Sequence, residues 1–509
     1  MLALAAVIST LQLTGPVPVD GGDYLLVPFT VPAGTVELTV AHDDGSDAQI
    51  LDWGVWSPDG FRGWGGGLTE PAIIGVAESS RGYVNGPITP GEWTLVIGKA
   101  KLGGQAGQYT VDLEFRDAPT IPVGPRAPYD PALTLSTERR WYAGDFHVHS
   151  SESGDAPATL DEIVDLARAR GLDFIVVTDH NTISHVPRLA ARQATLPDLL
   201  LVPGAEVTTY GGHATAVGTT AYIDHRVGLG GVTATSIIDE VHARAGVFSV
   251  NHPALDLGDL CIGCAWTHAD TPWERVDGIE IQTGNADLTA ALFTPRTLAL
   301  WDQQEDAGHT LAAIGGSDDH RAGMETGSLP ARIGSPTTMV LADALTEQAI
   351  RDGVFRGRTV VRFHGPEDPM VVLVARDTQS SKEVELGGTL TEVGEVALEA
   401  TIEGGVGAVA ELWRDGVQVE TRAITGAVTR FVRPVSGERE RYRVEVTRDG
   451  NRLTVTSHVY VEGDPALAPG GGCCDGGGGD GGGGRTATLV LALMILVRVR
   501  AWPKPRRSR

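Results

Sequence analysis

Seven short apolar segments, separated by stretches of helical character, constrain the fold of this chain more than any other feature. Apolar runs of this length that alternate with helices are typical of β/α units around a mainly parallel sheet or barrel. One unit is explicit, because a capping box at residues 159–162 opens a helix, Gly171 ends it, and a strand follows at once. The segments lie within residues 138–365 and are FHVH (146–149), FIVVT (174–178), LLLVPGAE (199–206), ATAVG (214–218), VFSVN (247–251), GIEIQ (278–282) and LAAIGGSD (311–318).

Ligand-type side chains stand at or just after the C-terminal ends of most of these segments. The C-terminal strand ends of an α/β barrel meet at one mouth, so these side chains are expected to converge there. His147 and His149 are two positions apart on a strand, so their side chains project from the same face. Asp318 and His320 have the same spacing and are also expected to share a face. The remaining members are His180 after FIVVT, Glu206 at the end of LLLVPGAE, and His252 after VFSVN.

The composition of this set predicts a metal site. A single histidine in a chain with 14 of them is usually a core or surface residue, but five motifs at successive strand ends are hard to obtain from packing alone. Mixed imidazole and carboxylate ligands favour zinc, manganese or iron over calcium or magnesium. Seven or more ligands exceed one tetrahedral shell, so we predict several divalent ions per chain rather than one, with Glu206 as a bridge.

The motifs GDFHVHS, VTDHN, GAE, NHP and GGSDDH resemble those of the PHP (polymerase and histidinol phosphatase) superfamily, and in particular its CehA/McbA metallohydrolase branch. The resemblance covers about residues 141–360 and implies a distorted (β/α)7 barrel. It also implies two or three divalent metal ions per chain. The first would be held by His147, His149, Glu206 and Asp318, the second by Glu206, His252 and His213, and the third by Asp155, His180 and His320. The family commonly has Ser-Asp-Gly after its His-x-His, whereas here Asp155 comes one place later, and His213 could instead be a plain turn histidine.

The activity predicted from this arrangement is hydrolysis of a small-molecule ester by a hydroxide held between two metal ions, with phosphate esters as the first choice. Asp318 could accept a proton, His320 or His180 could assist the leaving group, and Arg321 could hold an anionic substrate oxygen or form a structural salt bridge. Asp179 is expected to orient a neighbouring imidazole. Two alternatives stay open: a carboxyl or carbamate ester or amide hydrolase, as the CehA resemblance would allow, and a non-catalytic surface binding protein with a structural metal site.

Two β-rich modules flank the predicted barrel. Short alternating segments with Gly, Pro and Asp turns predict a β-sandwich at residues 22–117, and similar segments with Asp-Gly turns predict an Ig-like β-sandwich at residues 366–462. A Pro-rich linker is expected at residues 118–137. The tryptophans of the first module, including Trp53, Trp56 and Trp64, are expected to pack its core. The predicted fold class is therefore α/β, a barrel between two sandwiches.

Charge and the remaining histidines and cysteines limit the other possibilities. The chain carries a formal net charge of −25, and residues 485–509 hold seven basic and no acidic side chains, so residues 1–484 carry −32. Such a body repels nucleic-acid backbones, and we expect no general nucleic-acid binding. His185, His225 and His268 are interpreted as surface residues. Cys261 and Cys264 are expected to form a small disulfide in an exported protein.

The two ends of the chain predict export to the cell envelope or surface. Residues 1–20 are apolar at their start and resemble a secretory signal, although a first β-strand is the alternative. A Gly/Cys-rich linker at residues 466–484 precedes a segment at residues 485–509 with a 12-residue apolar run and a basic end. This order resembles a MYXO-CTERM sorting tail, which would provide the protein's contact with the membrane.

Overall fold

The first region of the structure is a sandwich of two four-stranded antiparallel sheets. The computed structural model describes residues 6–45, 49–323 and 332–463, which all fall in one compact unit. The sheets have the orders β1-β8-β3-β6 and β2-β7-β4-β5, and their inward side chains, including Trp53 and Trp93, share one core. The strands are β1 (Val7–Val17), β2 (Tyr24–Val31), β3 (Glu37–Asp43), β4 (Ile50–Ser57), β5 (Gly60–Gly66), β6 (Ala72–Gly75), β7 (Gly91–Lys101) and β8 (Gly107–Arg116).

The N-terminal sandwich starts earlier than predicted. Strand β1 lies within the segment interpreted as a secretory signal, and it pairs antiparallel with β8 from Val7 opposite Arg116 to Val17 opposite Gly107. The free edge of β8 presents backbone donors and acceptors, which a β-branched apolar segment can pair. The alternative interpretation, a first strand, therefore describes these residues in the structure, and their removal during export stays a prediction.

The central region contains all seven predicted segments, as strands β9 to β15. Its strands are β9 (Arg140–Val148), β10 (Phe174–Val177), β11 (Leu200–Thr209), β12 (Gly212–Val217), β13 (Val247–Val250), β14 (Gly278–Thr283), β15 (Ala312–Gly316), β16 (Thr337–Ala342) and β17 (Thr359–Arg362). Its helices are α1 (Leu160–Ala169), α2 (Val186–Gln193), α3 (Ala234–Ala243), α4 (Ala286–Thr289), α5 (Thr294–Asp306) and α6 (Glu347–Phe355). The capping box predicted before α1 is present, with Thr159 and Glu162 bonded to each other's backbone N–H.

The central sheet departs from a regular (β/α)7 repeat. Its order is β15-β14-β13-β12-β11-β10-β9-β16-β17, and β12 runs antiparallel to both neighbours. A tight turn joins β11 to β12. Glycine is needed at Gly211 and Gly212, because a Cβ there would collide with the rings of His268 and Trp266. Between β13 and β14 the chain has two short 3-10 turns, Gly258–Leu260 and Trp273–Arg275, in place of an α-helix.

Reversal of β12 has a consequence for the mouth of the sheet. The C-terminal ends of β9, β10, β11, β13 and β15 lie on one edge, and the N-terminal end of the antiparallel β12 lies on that same edge. Backbone hydrogen bonds from Asp318 N–H to the His147 carbonyl (2.8 Å) and from His149 N–H to the Asp319 carbonyl (3.0 Å) join the ends of β15 and β9. The end of β15, the first strand of the path, therefore meets the end of β9 at the mouth.

The C-terminal region is β-rich, as predicted, but its sheet is continuous with the central one. Strand β26 pairs antiparallel with β17, so the predicted boundary between residues 365 and 366 does not interrupt the sheet. The Asp-Gly turns at Asp415 and Asp449 have the positive φ angles of tight hairpins. The strands are β18 (Met370–Asp377), β19 (Glu383–Glu385), β20 (Thr389–Val393), β21 (Glu395–Glu403), β22 (Val409–Arg414), β23 (Val417–Ala423), β24 (Val428–Pro434), β25 (Arg439–Arg448), β26 (Asn451–Thr456) and β27 (Val459–Gly463).

The predicted linkers and tail have different outcomes. Residues 118–137 contain no helix or strand, but they are held in place, since Gly124 and Arg126 both bond to the buried Glu78. The predicted linker 466–484 and sorting segment 485–509 lie outside the described residues. Within the described ranges, no helix has the length and apolarity needed to cross a membrane.

Candidate metal centre

Nine side chains predicted as metal ligands lie together at the mouth of the central sheet. The histidines and carboxylates come from the ends of β9, β10, β13 and β15, from within β11, from the start of β12 and from the loop after β9. We call them the histidine cluster, which consists of His147, His149, Asp155, His180, Glu206, His213, His252, Asp318 and His320. The structure thus brings together residues that are up to 173 positions apart, and their role as ligands stays a prediction.

The first group of ligand atoms is a triangle at the end of β9. The Nε2 atoms of His147 and His149 lie 3.1 Å apart, and the Asp318 Oδ1 lies 3.3 Å from the former and 3.2 Å from the latter. Two imidazole nitrogens and a carboxylate oxygen at this spacing all face one point. In a tetrahedral site with metal–ligand bonds of 2.0–2.1 Å, ligand atoms are about 3.3 Å apart. The triangle therefore has the dimensions of one face of such a site.

A second triangle involves the carboxylate whose position departs from the family pattern. Asp155 Oδ2 lies 3.4 Å from His180 Nε2 and 3.2 Å from His320 Nε2, and these two nitrogens are 3.5 Å apart. The loop after β9 thus brings the Asp155 carboxylate to both imidazoles. All three edges again match the spacing expected around one first-row divalent ion.

Glu206 lies between the groups. Its Oε1 is 3.3 Å from His213 Nδ1, 3.3 Å from His252 Nε2 and 3.2 Å from His147 Nε2. Its Oε2 is 2.8 Å from His180 Nδ1 but makes no hydrogen bond with any described residue, although it is fully buried. A buried carboxylate oxygen without a hydrogen bond is costly unless a cation satisfies it. The donor set therefore fits divalent ions bridged by Glu206.

The second nitrogen of each imidazole also has a partner. A metal-binding histidine usually donates its other N–H to an oxygen, which fixes the ring and its tautomer. The pairs are His147 Nδ1 with Glu280 (3.3 Å), His149 Nδ1 with Ser153 (3.0 Å), His180 Nδ1 with Thr208 (2.7 Å), His213 Nε2 with the Ile262 carbonyl (3.3 Å), His252 Nδ1 with the Cys264 carbonyl (3.1 Å) and His320 Nδ1 with the Asp318 carbonyl (2.9 Å). All six rings are thus oriented towards the cluster.

Sequence reasoning missed Glu280. This carboxylate is 2% exposed on β14, where it faces His147 and accepts the backbone N–H of His252 at 2.8 Å. His252 and Asp318 have left-handed φ angles of 28° and 54°, so the chain turns sharply at these two strand ends. The available signal was an acid in the middle of the apolar segment GIEIQ, since a buried carboxylate needs a specific partner.

Burial and mutual charge set the protonation of the cluster. Burial opposes ionisation of Glu206, but His147, His213 and His180 outweigh it and hold the pKa of this carboxyl well below its usual value. Burial, together with His320 and His180, lowers the pKa of His149 to about 4. Metal ligands must be deprotonated carboxylates and neutral imidazoles. Glu206 and His149 are therefore in the forms that bind cations at neutral pH.

Three predictions about neighbouring residues need correction or refinement. Asp179 does face an imidazole, but it is that of His185 (3.1 Å), which is outside the cluster. It also accepts hydrogen bonds from the backbone N–H and the hydroxyl of Ser150. The interpretation of His185 and His225 as surface residues is wrong, since they are 2% and 1% exposed. The reason is that His185, at the N-terminus of α2, packs against Asp179, and the loop that carries His225 is covered by Trp64 of the N-terminal sandwich. His268 is half-buried and bonds to Thr209.

The predicted disulfide between Cys261 and Cys264 is present. It closes the loop whose carbonyls, from Ile262 and Cys264, accept hydrogen bonds from the rings of His213 and His252. The loop thus has a structural connection to the metal centre that its sequence did not indicate.

A cavity of about 620 Å³ opens above the cluster. Glu206, His252, Asp318 and His320 line its floor, and Arg321 also lines it, while its predicted contact with substrate stays a prediction. Tyr24, Asp52 and Trp64 of the N-terminal sandwich line the opposite wall. The histidine cluster is therefore accessible to a small molecule, within a cavity formed by two regions of the chain.

Comparisons with known proteins add little to this geometry. No family model matches the sequence, and no curated protein matches it. Among solved structures, a two-domain protein of Bacteroides vulgatus containing a predicted PHP-like metal-dependent phosphoesterase is 20% identical, covering 65% of this chain and 100% of its own, with a TM-score of 0.36. A protein of Bifidobacterium adolescentis, named as a candidate metal-dependent phosphoesterase, is 16% identical, covering 37% of this chain and 92% of its own, with a TM-score of 0.25.

Proposed function

We propose that the protein is a divalent-metal-dependent hydrolase of the PHP type that acts on phosphate esters. The observation that carries this proposal is the set of ligand triangles with edges of 3.1–3.5 Å, joined by Glu206, on the floor of an open cavity. A structural metal site is usually closed by protein ligands, whereas a catalytic one keeps a position open to substrate. The first triangle would hold one ion, Asp155, His180 and His320 another, and Glu206 with His213 and His252 a third.

Divalent ions bound there would supply an activated water and neutralise negative charge on substrate oxygens. The chain's own groups would position the reactants. Asp318 uses Oδ1 in the first triangle and lines the cavity, so its carboxylate is placed to accept a proton from water there. Arg321 on the cavity wall is suited to hold an anionic substrate oxygen. His180 and His320, about a quarter exposed, border the side where the leaving group would depart.

The test is a metal analysis and substrate panel on the purified protein. We expect two or three equivalents of zinc, manganese or iron, and metal-dependent hydrolysis of phosphomonoesters or phosphodiesters. The variant His147→Ala should lose metal and activity, whereas His309→Ala, which changes a histidine outside the cluster after α5, should keep both. If only carboxyl esters, carbamates or amides are cleaved, the substrate class is wrong. Tightly held metal with no hydrolysis of any class would support a non-catalytic binding protein.

We also propose that the protein is exported to the cell envelope. The Cys261–Cys264 disulfide supports this, because disulfides persist mainly in oxidising compartments. Fractionation of cells expressing the full chain, with mass analysis of both termini, would test export and processing together. Recovery of the unprocessed chain in the cytoplasm would contradict it.

A further inference from the structure

The wall of the cavity opposite the metal centre has a chemistry of its own. Tyr24 and Tyr210 stack with ring centroids 5.6 Å apart, and the Trp64 ring lies edge-on to Tyr24 at 6.3 Å. The carboxylate of Asp52 accepts a hydrogen bond from the Tyr210 hydroxyl at 2.7 Å. All four residues line the cavity, and we call them the aromatic–carboxylate wall.

The side chains of the wall pack closely on a glycine of the N-terminal sandwich. Gly98 of β7 lies beneath it, where a Cβ would collide with the Tyr210 hydroxyl and lie 3.2 Å from both Asp52 and Trp64. Asp52 Oδ2 is satisfied by Tyr210, while Oδ1 makes no hydrogen bond with any described residue. One carboxylate oxygen therefore remains available to a ligand between three aromatic rings.

The wall is also held firmly relative to the metal centre. Gly82 of the N-terminal region donates its N–H to Glu152 at 3.3 Å and accepts the Thr182 hydroxyl at 3.0 Å, and Arg188 of α2 pairs with the buried Glu78 at 3.0 Å. Strand β11 carries Glu206, and Tyr210 follows it four positions later, so roughly 13 Å of backbone separates them. A small molecule can therefore contact both ends of the cavity at once.

We propose that the aromatic–carboxylate wall binds an organic ammonium group of the substrate, whose ester is held at the histidine cluster. Aromatic faces attract cations through their negative π surfaces, and more strongly when water is excluded. The proposal rests on the proposed function, and it makes the substrate a zwitterion with an anionic phosphoester at one end and a cation at the other.

Electrostatics at the wall agree with a cationic ligand. Burial raises the pKa of Asp52 to about 6, with Asp44 adding to this and the Tyr210 hydrogen bond and His180 opposing it, so the carboxyl is mostly ionised at neutral pH. Burial lowers the pKa of His225, whose ring lies 4.4 Å from Trp64, to about 3. This neighbouring histidine is therefore neutral and does not repel a cation.

Binding of the head group alone tests the wall without requiring hydrolysis. By calorimetry on the metal-loaded protein, choline should bind about 10-fold or more tightly than 3,3-dimethylbutan-1-ol, its uncharged isostere. Asp52→Asn keeps an acceptor for Tyr210 and should remove most of this preference, and Asp52→Glu should restore part of it. Glu92→Gln removes an exposed charge from β7 and should have no effect. Equal binding of the two probes, or preference for a neutral sugar such as methyl glucoside, would overturn the proposal.

Hydrolysis then separates the two proposals. In p-nitrophenyl phosphorylcholine, water adds to phosphorus and p-nitrophenolate leaves, and the same reaction is possible for the 3,3-dimethylbutyl diester. We expect kcat/KM to favour the choline ester about 10-fold in the native protein and not in Asp52→Asn. Equal hydrolysis of both esters would overturn the ammonium site and leave the hydrolase intact. Choline binding that depends on Asp52, without hydrolysis of any ester, would overturn the hydrolase and keep the cation site.

Discussion

Two clusters of charged side chains in the protein differ in chemistry. The histidine cluster consists of imidazoles and carboxylates at the mouth of the central sheet. The other cluster, which we call the arginine cluster, joins α5 to the C-terminal sheet. Its Arg443 is 1% exposed and bonds to Asp302 (2.5 Å) and Glu445 (2.8 Å). Arg452 also bonds to Glu445, at 2.6 Å, and Arg441 pairs with Asp306 at 2.7 Å.

The difference shows that burial of charge does not by itself indicate a functional site. In the arginine cluster, three guanidinium groups face three carboxylates, and an arginine does not release its proton in proteins. Such a cluster is complete and holds two elements together. In the histidine cluster the imidazoles can lose protons, their free nitrogens converge, and a cavity gives access from outside. Only the histidine cluster can exchange protons for metal ions.

The largest effect is expected from removing the shared carboxylate of the histidine cluster. Glu206→Gln keeps the shape of the side chain but removes the charge that bridges the triangles, so metal affinity should fall by more than the 10–100-fold typical of outer partners. Turnover should fall about 1000-fold, which corresponds to about 4 kcal/mol. Metal content and kcat measure this directly. If the Glu206→Gln variant kept its full metal content, the histidine cluster would not differ from the arginine cluster in its capacity to bind metal.

The arginine cluster should respond in stability and not in activity. Arg443→Met leaves Asp302 and Glu445 without their buried partner, and breaking a buried pair in this way costs about 3–5 kcal/mol. Urea unfolding should show this loss, while the metal content of the folded protein stays at its native value. A change in metal content at full stability would mean that the two clusters are coupled.

The disulfide loop should have a smaller effect, confined to the histidine cluster. Replacing both Cys261 and Cys264 by serine keeps the carbonyls that orient His213 and His252 but frees the loop to move. Metal affinity should weaken about 10-fold, the low end of the range for outer partners. Competition with a chelator gives the affinity of each ion. Unchanged affinities would show that the loop does not position these rings.

The smallest expected effect is on the pH dependence of the free energy of unfolding, through His458 beside the arginine cluster. Burial outweighs the opposing contribution of Glu305 and, with smaller contributions from Arg443 and Arg441, lowers the pKa of His458 below its usual 6.5. The unfolded chain therefore binds the proton more readily, and this contribution to stability is present above pH 6.5 and is lost as the pH falls below it. Between pH 7.5 and 5.5 the native protein should lose about 1 kcal/mol more than His458→Gln. Equal losses would show that His458 does not contribute.

Sequence reasoning located the histidine cluster because its members follow a simple rule. His180 and His252 follow the ends of β10 and β13, and Glu206 lies near the end of β11, so their side chains converge at the mouth of the sheet. The rule did not extend to Glu280, which lies inside its strand and acts through His147. It was also too simple for Asp318 and His320, which were expected to share a face. The left-handed turn at Asp318 places the two residues in different triangles.

The sequence alone determined the strand segments, their ligand-type ends and the β-rich character of both flanking regions, because hydrophobic periodicity and turn residues act locally. The tertiary structure alone decided that β12 runs antiparallel and so delivers His213 to the mouth. It also placed Asp52 against Tyr210, 158 positions away, to complete the cavity wall. Such contacts depend on how whole sheets pack, and no local pattern encodes the packing of one sheet against another.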